Sequence, residues 1–235
     1  MKTVLHRITR DQIHRDPFPH LIIDGAVEPD IYEQLVATFP SEETLLRGRP
    51  LENNTPYRFS AEHILREASD CWREFVRVHT SAAFYREAAA LFGLPDAATT
   101  SIRFLEPFAD VALECQIIYG SPVTRASRSH PVHVDREVAL YAGLLYFRRA
   151  DDDAPGGDLE LYRFRGSQRR YDAQRFVDDA LVEKVKTIPY AANRLVFFPH
   201  SPDALHATSV RSVTPHPRLH VNFVAERRER AWEAA

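Results

Sequence analysis

The chain has 235 residues, with 30 basic and 33 acidic side chains and a formal charge of −3. That is enough length to bury one substantial core, and it leaves no basic surplus of the kind that recruits nucleic acid. Cys71 and Cys115 form no paired motif, which argues against a disulfide framework or a zinc knuckle; no signal-like or membrane-spanning apolar stretch occurs, so the expectation is one cytoplasmic domain over 1–235 with no membrane partner.

The first apolar run, Phe18 to Asp24, reads as a strand closed by Asp24-Gly25. Pro29-Asp30 then opens a helix in which Ile31, Leu35, Val36 and Phe39 recur at helical spacing before Pro40. Residues 41–59 show no sustained period and read as a loop, either an ordinary connection or one that covers a site. Ser60 to Val78 carries one amphipathic stripe through Ile64, Leu65, Ala68, Cys71, Trp72, Phe75 and Val76; Ser81 to Phe92 carries a second, ending at Gly93. Trp72 and these phenylalanines are read as core.

From Thr99 the period becomes strand-like. Strands are expected at Ile102–Leu105, Val111–Tyr119, Leu140–Phe147, Gly157–Tyr162, Glu183–Pro189, Arg194–Phe198 and Arg218–Val224. Helices first and many short strands afterwards describe a mainly β fold, a sandwich or barrel, with a helical buttress (about 28–93) against a β core (about 99–225).

His133-Val134-Asp135, joined at a distance by His206, carries the chemistry. His133 is expected at a strand end, Asp135 in the loop before Leu140, and His206 after the strand at 194–198. Two imidazoles and a carboxylate on one face of a metal are the donor set of non-haem Fe(II) oxygenases, because three positions stay open for cosubstrate and oxygen.

Together with LLYF (144–147), GGDLELY (156–162), RLVFFPHSPDALHAT (194–208) and RLHVNF (218–223), this motif resembles the 2-oxoglutarate- and Fe(II)-dependent dioxygenase superfamily, in its prolyl-hydroxylase-like branch. PFPHLIIDGAVEPDIYEQLVATFP, at 17–40, resembles the start of bacterial members. The resemblance implies a double-stranded β-helix (jelly roll, cupin-like). It implies His133, Asp135 and His206 as metal ligands, Arg218 as the anchor of the distal carboxylate of 2-oxoglutarate, and consumption of O2 with release of succinate and CO2. A planar guanidinium suits that anchor because it can grip a carboxylate through two parallel hydrogen bonds. Strand alternation turns Arg218, His220 and Asn222 to one face. Two features depart from the family pattern. Twelve positions separate His206 from Arg218, with Pro215 and Pro217 in the connection and Arg211 as a rival anchor, and His220 stands where many members carry Ser or Thr.

Tyr146 matches a tyrosine that donates to the same carboxylate in related chains, and a core tyrosine is the equal alternative. Gln116 and Tyr119 are candidates for the other end of the cosubstrate. His130, His200, His216 and His220 read as supporting or surface groups, with His220 a candidate aid to cosubstrate orientation. Asp135 disfavours halogenation, since related halogenases carry a small residue there.

Hydroxylation of a small molecule such as an amino acid or biosynthetic intermediate is the expected outcome, with desaturation, epoxidation or ring formation left open. Arg125 and Arg128 are candidates for gripping an anionic group on it, and Arg163, Arg165, Arg169, Arg170 and Arg175 form either a lid or a solvated loop. Three other readings stay open: a prolyl or peptidyl hydroxylase, a non-catalytic cupin-like binding protein, and a zinc hydrolase using the same ligands. Oligomeric state is not legible.

Overall fold

The computed structural model describes residues 1–101, 110–166 and 176–228. The strand expected at 102–105 and the arginines at 169, 170 and 175 lie outside those residues. Among the described residues no helix is long and apolar enough to cross a membrane.

Five helices precede most of the strands: α1 (Pro29–Ala37), α2 (Glu42–Leu46), α3 (Ala61–Glu67), α4 (Asp70–His79) and α5 (Ala82–Phe92). The stripe expected as one helix over 60–78 is two. Ala68 is extended, with ψ of 174°, and Ser69 caps α4 by accepting the Trp72 N–H. A Ser-Asp pair inside the apolar period offers the backbone a capping bond in place of a further turn. Residues 41–59 are also more than a loop. Ser41 caps α2, which buries Leu45 and Leu46, and residues 56–59 form a strand. The helix is too short to display its period, and the strand offers only a four-residue alternation.

The strands are β1 (Leu21–Asp24), β2 (Pro56–Phe59), β3 (Thr99–Ser101), β4 (Val111–Gly120), β5 (Ala139–Tyr146), β6 (Leu159–Phe164), β7 (Val182–Ile188), β8 (Arg194–Pro199), β9 (His206–Thr208) and β10 (Arg218–Arg227). A major sheet runs β1-β8-β5-β10-β4-β2, antiparallel throughout, with β3 joining β4 in parallel. A minor sheet runs β7-β6-β9. Bridges His133↔His206, Ser127↔Arg211 and Val123↔Thr214 lay the chain from 123 to 133 antiparallel beside β9 and the connection from β9 to β10. His133 therefore sits in a bridged extended segment, not at the end of a regular strand.

The two sheets face each other across an apolar layer that includes Phe18, Tyr146, Leu159, Leu161, Val196 and Phe198. The helices cover the opposite face of the major sheet, where Trp72, Phe75, Phe84, Ile117, Val221 and Phe223 are all fully buried. Trp72 also donates its indole N–H to the Leu35 carbonyl at 3.0 Å, which ties α4 to α1. Strand alternation sorts β10 as expected, with Leu219, Val221 and Phe223 toward the helices and Arg218, His220 and Asn222 toward the inner cavity. This is a jelly roll with its helical layer on the major sheet.

Candidate metal centre

The donor atoms of His133, Asp135 and His206 lie within 4.8 Å of one another. The bridge between the 123–133 segment and β9 produces this, because it sets His133 directly opposite His206, with ring centroids 4.3 Å apart. Asp135, two residues on, places a carboxylate oxygen 4.0 Å from His206 Nε2. Each imidazole is oriented by a carbonyl. His133 Nδ1 bonds the Pro131 oxygen at 2.8 Å, and His206 Nδ1 bonds the Ala204 oxygen at 2.9 Å. A carbonyl only accepts, so Nδ1 carries the proton in both rings and each Nε2 lone pair is left for a metal. Burial, and after it the neighbouring His206, holds the His133 pKa well below the usual range and keeps that ring neutral. Two imidazoles that turn Nε2 toward one point and one carboxylate on the same face, with an open side, fit Fe(II).

The ligands open onto a cavity of about 100 Å³ between the sheets, into which Arg218 and His220 also project. Arg218 is only 6% exposed, yet among the described residues no carboxylate lies within ion-pair distance of it. Its Nε donates to the Gly157 carbonyl at 2.6 Å and its Nη1 to His220 Nδ1 at 3.2 Å. Burial, and after it the positive charge of Arg218, pushes the His220 pKa well down, so His220 is neutral and can accept that bond. The guanidinium carbon lies 5.0 Å from the Tyr146 ring centroid, and the Tyr146 hydroxyl is buried without an acceptor for its proton. A buried cation without an anion beside a buried hydroxyl without an acceptor is a costly arrangement in an apoprotein. A carboxylate ligand would satisfy both, so the residues fit 2-oxoglutarate.

The rival anchor is otherwise engaged. Arg211 is buried and pairs with Asp152 at 2.8 Å, which makes it a structural cation. The Gly156-Gly157 turn holds the two arginines in place. At Gly156, with φ of +85°, an added Cβ would stand 1.9 Å from the Val210 carbonyl oxygen; one at Gly157 would press on Arg211 and Arg218.

Several expected site residues are elsewhere. Tyr119 points to the helix side, where its hydroxyl bonds Glu42 and borders an apolar groove of about 1110 Å³ that holds none of the metal donors. Gln116 is on the inner face opposite Asn222 but does not line the cavity. Arg125 is exposed and outside the lining; Arg128 pairs with Asp179 at 3.2 Å and approaches Glu160 at 3.7 Å. Arg163 pairs with Asp16 and Glu183, and Arg165 bonds the Val182 carbonyl. Besides Arg218, the cation among the described residues that reaches the cavity is Arg58 on β2, within the stretch read as a loop. Its signal was the alternation Pro56-Tyr57-Arg58-Phe59, four residues long. His130 also lines the cavity, its pKa lowered to about 4 by burial first and then by Arg218.

No family model matches the chain, and no curated protein matches it. Solved structures do. A prolyl 4-hydroxylase from Phytophthora capsici is 14% identical with a TM-score of 0.58, over 95% of this chain and 64% of that one. The non-heme alpha ketoglutarate dependent epimerase SnoN from nogalamycin biosynthesis is 16% identical with a TM-score of 0.56, over 97% and 84%. A prolyl hydroxylase from Trichoplax adhaerens, solved with a hypoxia inducible factor peptide fragment, is 11% identical with a TM-score of 0.54, over 96% and 92%. The chain has the fold of these proteins, the double-stranded β-helix, and its His-Asp-His cluster and Arg218 share one cavity between the two sheets.

Proposed function

We propose that the chain is an Fe(II)- and 2-oxoglutarate-dependent dioxygenase that hydroxylates an unactivated C–H bond of a small molecule, such as an amino acid or biosynthetic intermediate. The observation that carries this reading is the pairing of a two-histidine, one-carboxylate cluster with a buried arginine that lacks an anion in the same cavity. In it His133, Asp135 and His206 hold the iron, and Arg218 and Tyr146 hold the distal carboxylate of 2-oxoglutarate. When bound, the metal and keto acid supply O2 activation, with the cosubstrate leaving as succinate and CO2.

The chain's own residues do the positioning. The carbonyls of Pro131 and Ala204 fix the two imidazoles before metal arrives, so little reorganisation remains on loading. Asp135 would fill the third ligand position, which disfavours halide at the metal. Ile118, Ala142, Leu144 and Leu159 wall the cavity with apolar groups, which restricts water around the reacting centre and limits which C–H bond can approach.

Anaerobic titration of the apoprotein with Fe(II) and then 2-oxoglutarate tests the reading. The expected result is the visible charge-transfer band of a chelated keto acid, absent in His133→Ala, with succinate formed once O2 is admitted. Tight zinc binding with no band, or turnover that persists without O2 and 2-oxoglutarate, would move the assignment to a hydrolase or a binding protein.

A further inference from the structure

The cavity that holds the metal donors is lined, among the described residues, by two arginines and one carboxylate, Asp135. Arg218 is accounted for by the cosubstrate. Arg58 is not. It projects from β2, the edge strand of the major sheet, on the same inner face as Ile118 and His220; register sets Arg58 opposite Ile118, and Ile118 opposite His220. Its neighbours Tyr57 and Phe59 are buried on the helix side, which fixes the direction of the Arg58 side chain by alternation. The Arg58 guanidinium is exposed and has neither a hydrogen bond nor an ion pair among the described residues.

Charge accounting in the loaded site assigns it a purpose. A divalent metal held by Asp135 retains one positive charge, and Arg218 adds a second. A dianionic keto acid cancels both. Among the described residues Arg58 is then the one cation of the cavity lining without a counter-charge inside the cavity; Glu114, outside the lining, acts on it only through space and not as an ion pair, and Arg58 stands at the edge of the sheet and not in its buried interior. A guanidinium so placed is matched by a carboxylate, which it can grip in two parallel hydrogen bonds. We infer that Arg58 binds a carboxylate of the substrate at the cavity mouth, so that the enzyme acts on small carboxylic acids and presents a C–H bond remote from that carboxylate to the metal. This inference rests on the oxygenase reading above.

The test uses the full chain loaded with Fe(II) and 2-oxoglutarate. The probes are L-amino acids, their N-acetyl derivatives and small dicarboxylates, each beside its primary amide, scored by stimulated succinate formation. The charge-transfer band is recorded first; if it is absent, the oxygenase reading fails and this inference falls with it. With the band present, at least one acid is expected to stimulate succinate formation tenfold or more over its amide. Arg58→Ala should then raise the KM for that acid at least tenfold with a much smaller change in kcat, and Arg58→Lys should recover part of the loss. With the band present, three results each overturn the assignment of Arg58 alone: a panel in which no acid exceeds its amide, an unchanged KM in Arg58→Ala, or a loss confined to kcat that Lys does not restore.

Discussion

Arg218 has five N–H donors, of which one goes to Gly157 and one to His220, leaving three for a ligand. Those three are enough for a two-point grip on a carboxylate, and the Tyr146 hydroxyl adds a third point from the neighbouring strand β5. The energies separate their roles. A hydrogen bond to a charged group is worth about 1.5–3 kcal/mol, so Arg218→Ala should weaken 2-oxoglutarate binding by roughly 100-fold or more on that basis. Arg218→Lys keeps the charge but loses the fork, and an intermediate loss of roughly tenfold is expected. Tyr146→Phe removes a single donor to the same charged group and should weaken binding by roughly tenfold, well short of the loss in Arg218→Ala. Isothermal titration of each variant with 2-oxoglutarate in the presence of Fe(II) under anaerobic conditions gives the order directly. Equal losses for Arg218→Ala and Tyr146→Phe would contradict the shared-carboxylate geometry.

At the scale of elements, α4 is tied to the N-terminal segment by one residue whose protonation matters. His79 is fully buried, bonds the Phe75 carbonyl through Nδ1 at 2.7 Å, and accepts the Val4 N–H at Nε2 at 3.0 Å. Accepting at Nε2 while donating at Nδ1 requires the neutral ring, and burial lowers its pKa from 6.5 to about 4. The unfolded chain therefore takes up a proton near pH 6.5 that the folded chain refuses until about pH 4. Stability from this group is complete above pH 6.5 and is lost as pH falls toward 4, by about 3 kcal/mol in all. His79→Gln should be less stable than the wild type at pH 7.5 and should lose less stability between pH 7.5 and 4.5, as read from denaturant melts at both values. Parallel losses would show that His79 is not the responsible group. The elements also mark the boundary of what sequence reveals. Ser81 and Gly93 bracket α5 in plain sight, and strand alternation gave the inner face of β10, because both patterns run for many residues. α2 is five residues long and does not complete two turns, and β2 offers only four alternating positions. The ligands were legible because residue type carries their chemistry. Arg58 was hidden because only the pairing of β2 with β4 brings it to the cavity, whereas Arg125 and Arg128 lie nearer to His133 in sequence and point elsewhere.

For the whole molecule, the two halves of the site belong to different sheets. His206 lies on β9 of the minor sheet, and His133 is bridged to it, whereas Arg218 and Tyr146 lie on β10 and β5 of the major sheet. Metal alone therefore engages the minor-sheet side, and a keto acid that binds the metal at one end and Arg218 at the other links the two sheets across their shared apolar layer. A ligand that binds only the folded state stabilises it by an amount that grows with its concentration over its dissociation constant, about 2.7 kcal/mol at a hundredfold excess. A ligand attached at two points of a two-sheet fold should also depend on both attachments. Thermal unfolding under anaerobic conditions is expected to show a modest rise in Tm with Fe(II), little rise with 2-oxoglutarate alone, and a rise with both that exceeds the sum of the two. In Arg218→Ala the metal increment should remain while the cosubstrate increment largely disappears; in His133→Ala both should be lost, because the keto acid then has only one end anchored. Additive increments in the wild type would mean that the two ligands bind independently, and the linkage between the sheets would have to be abandoned.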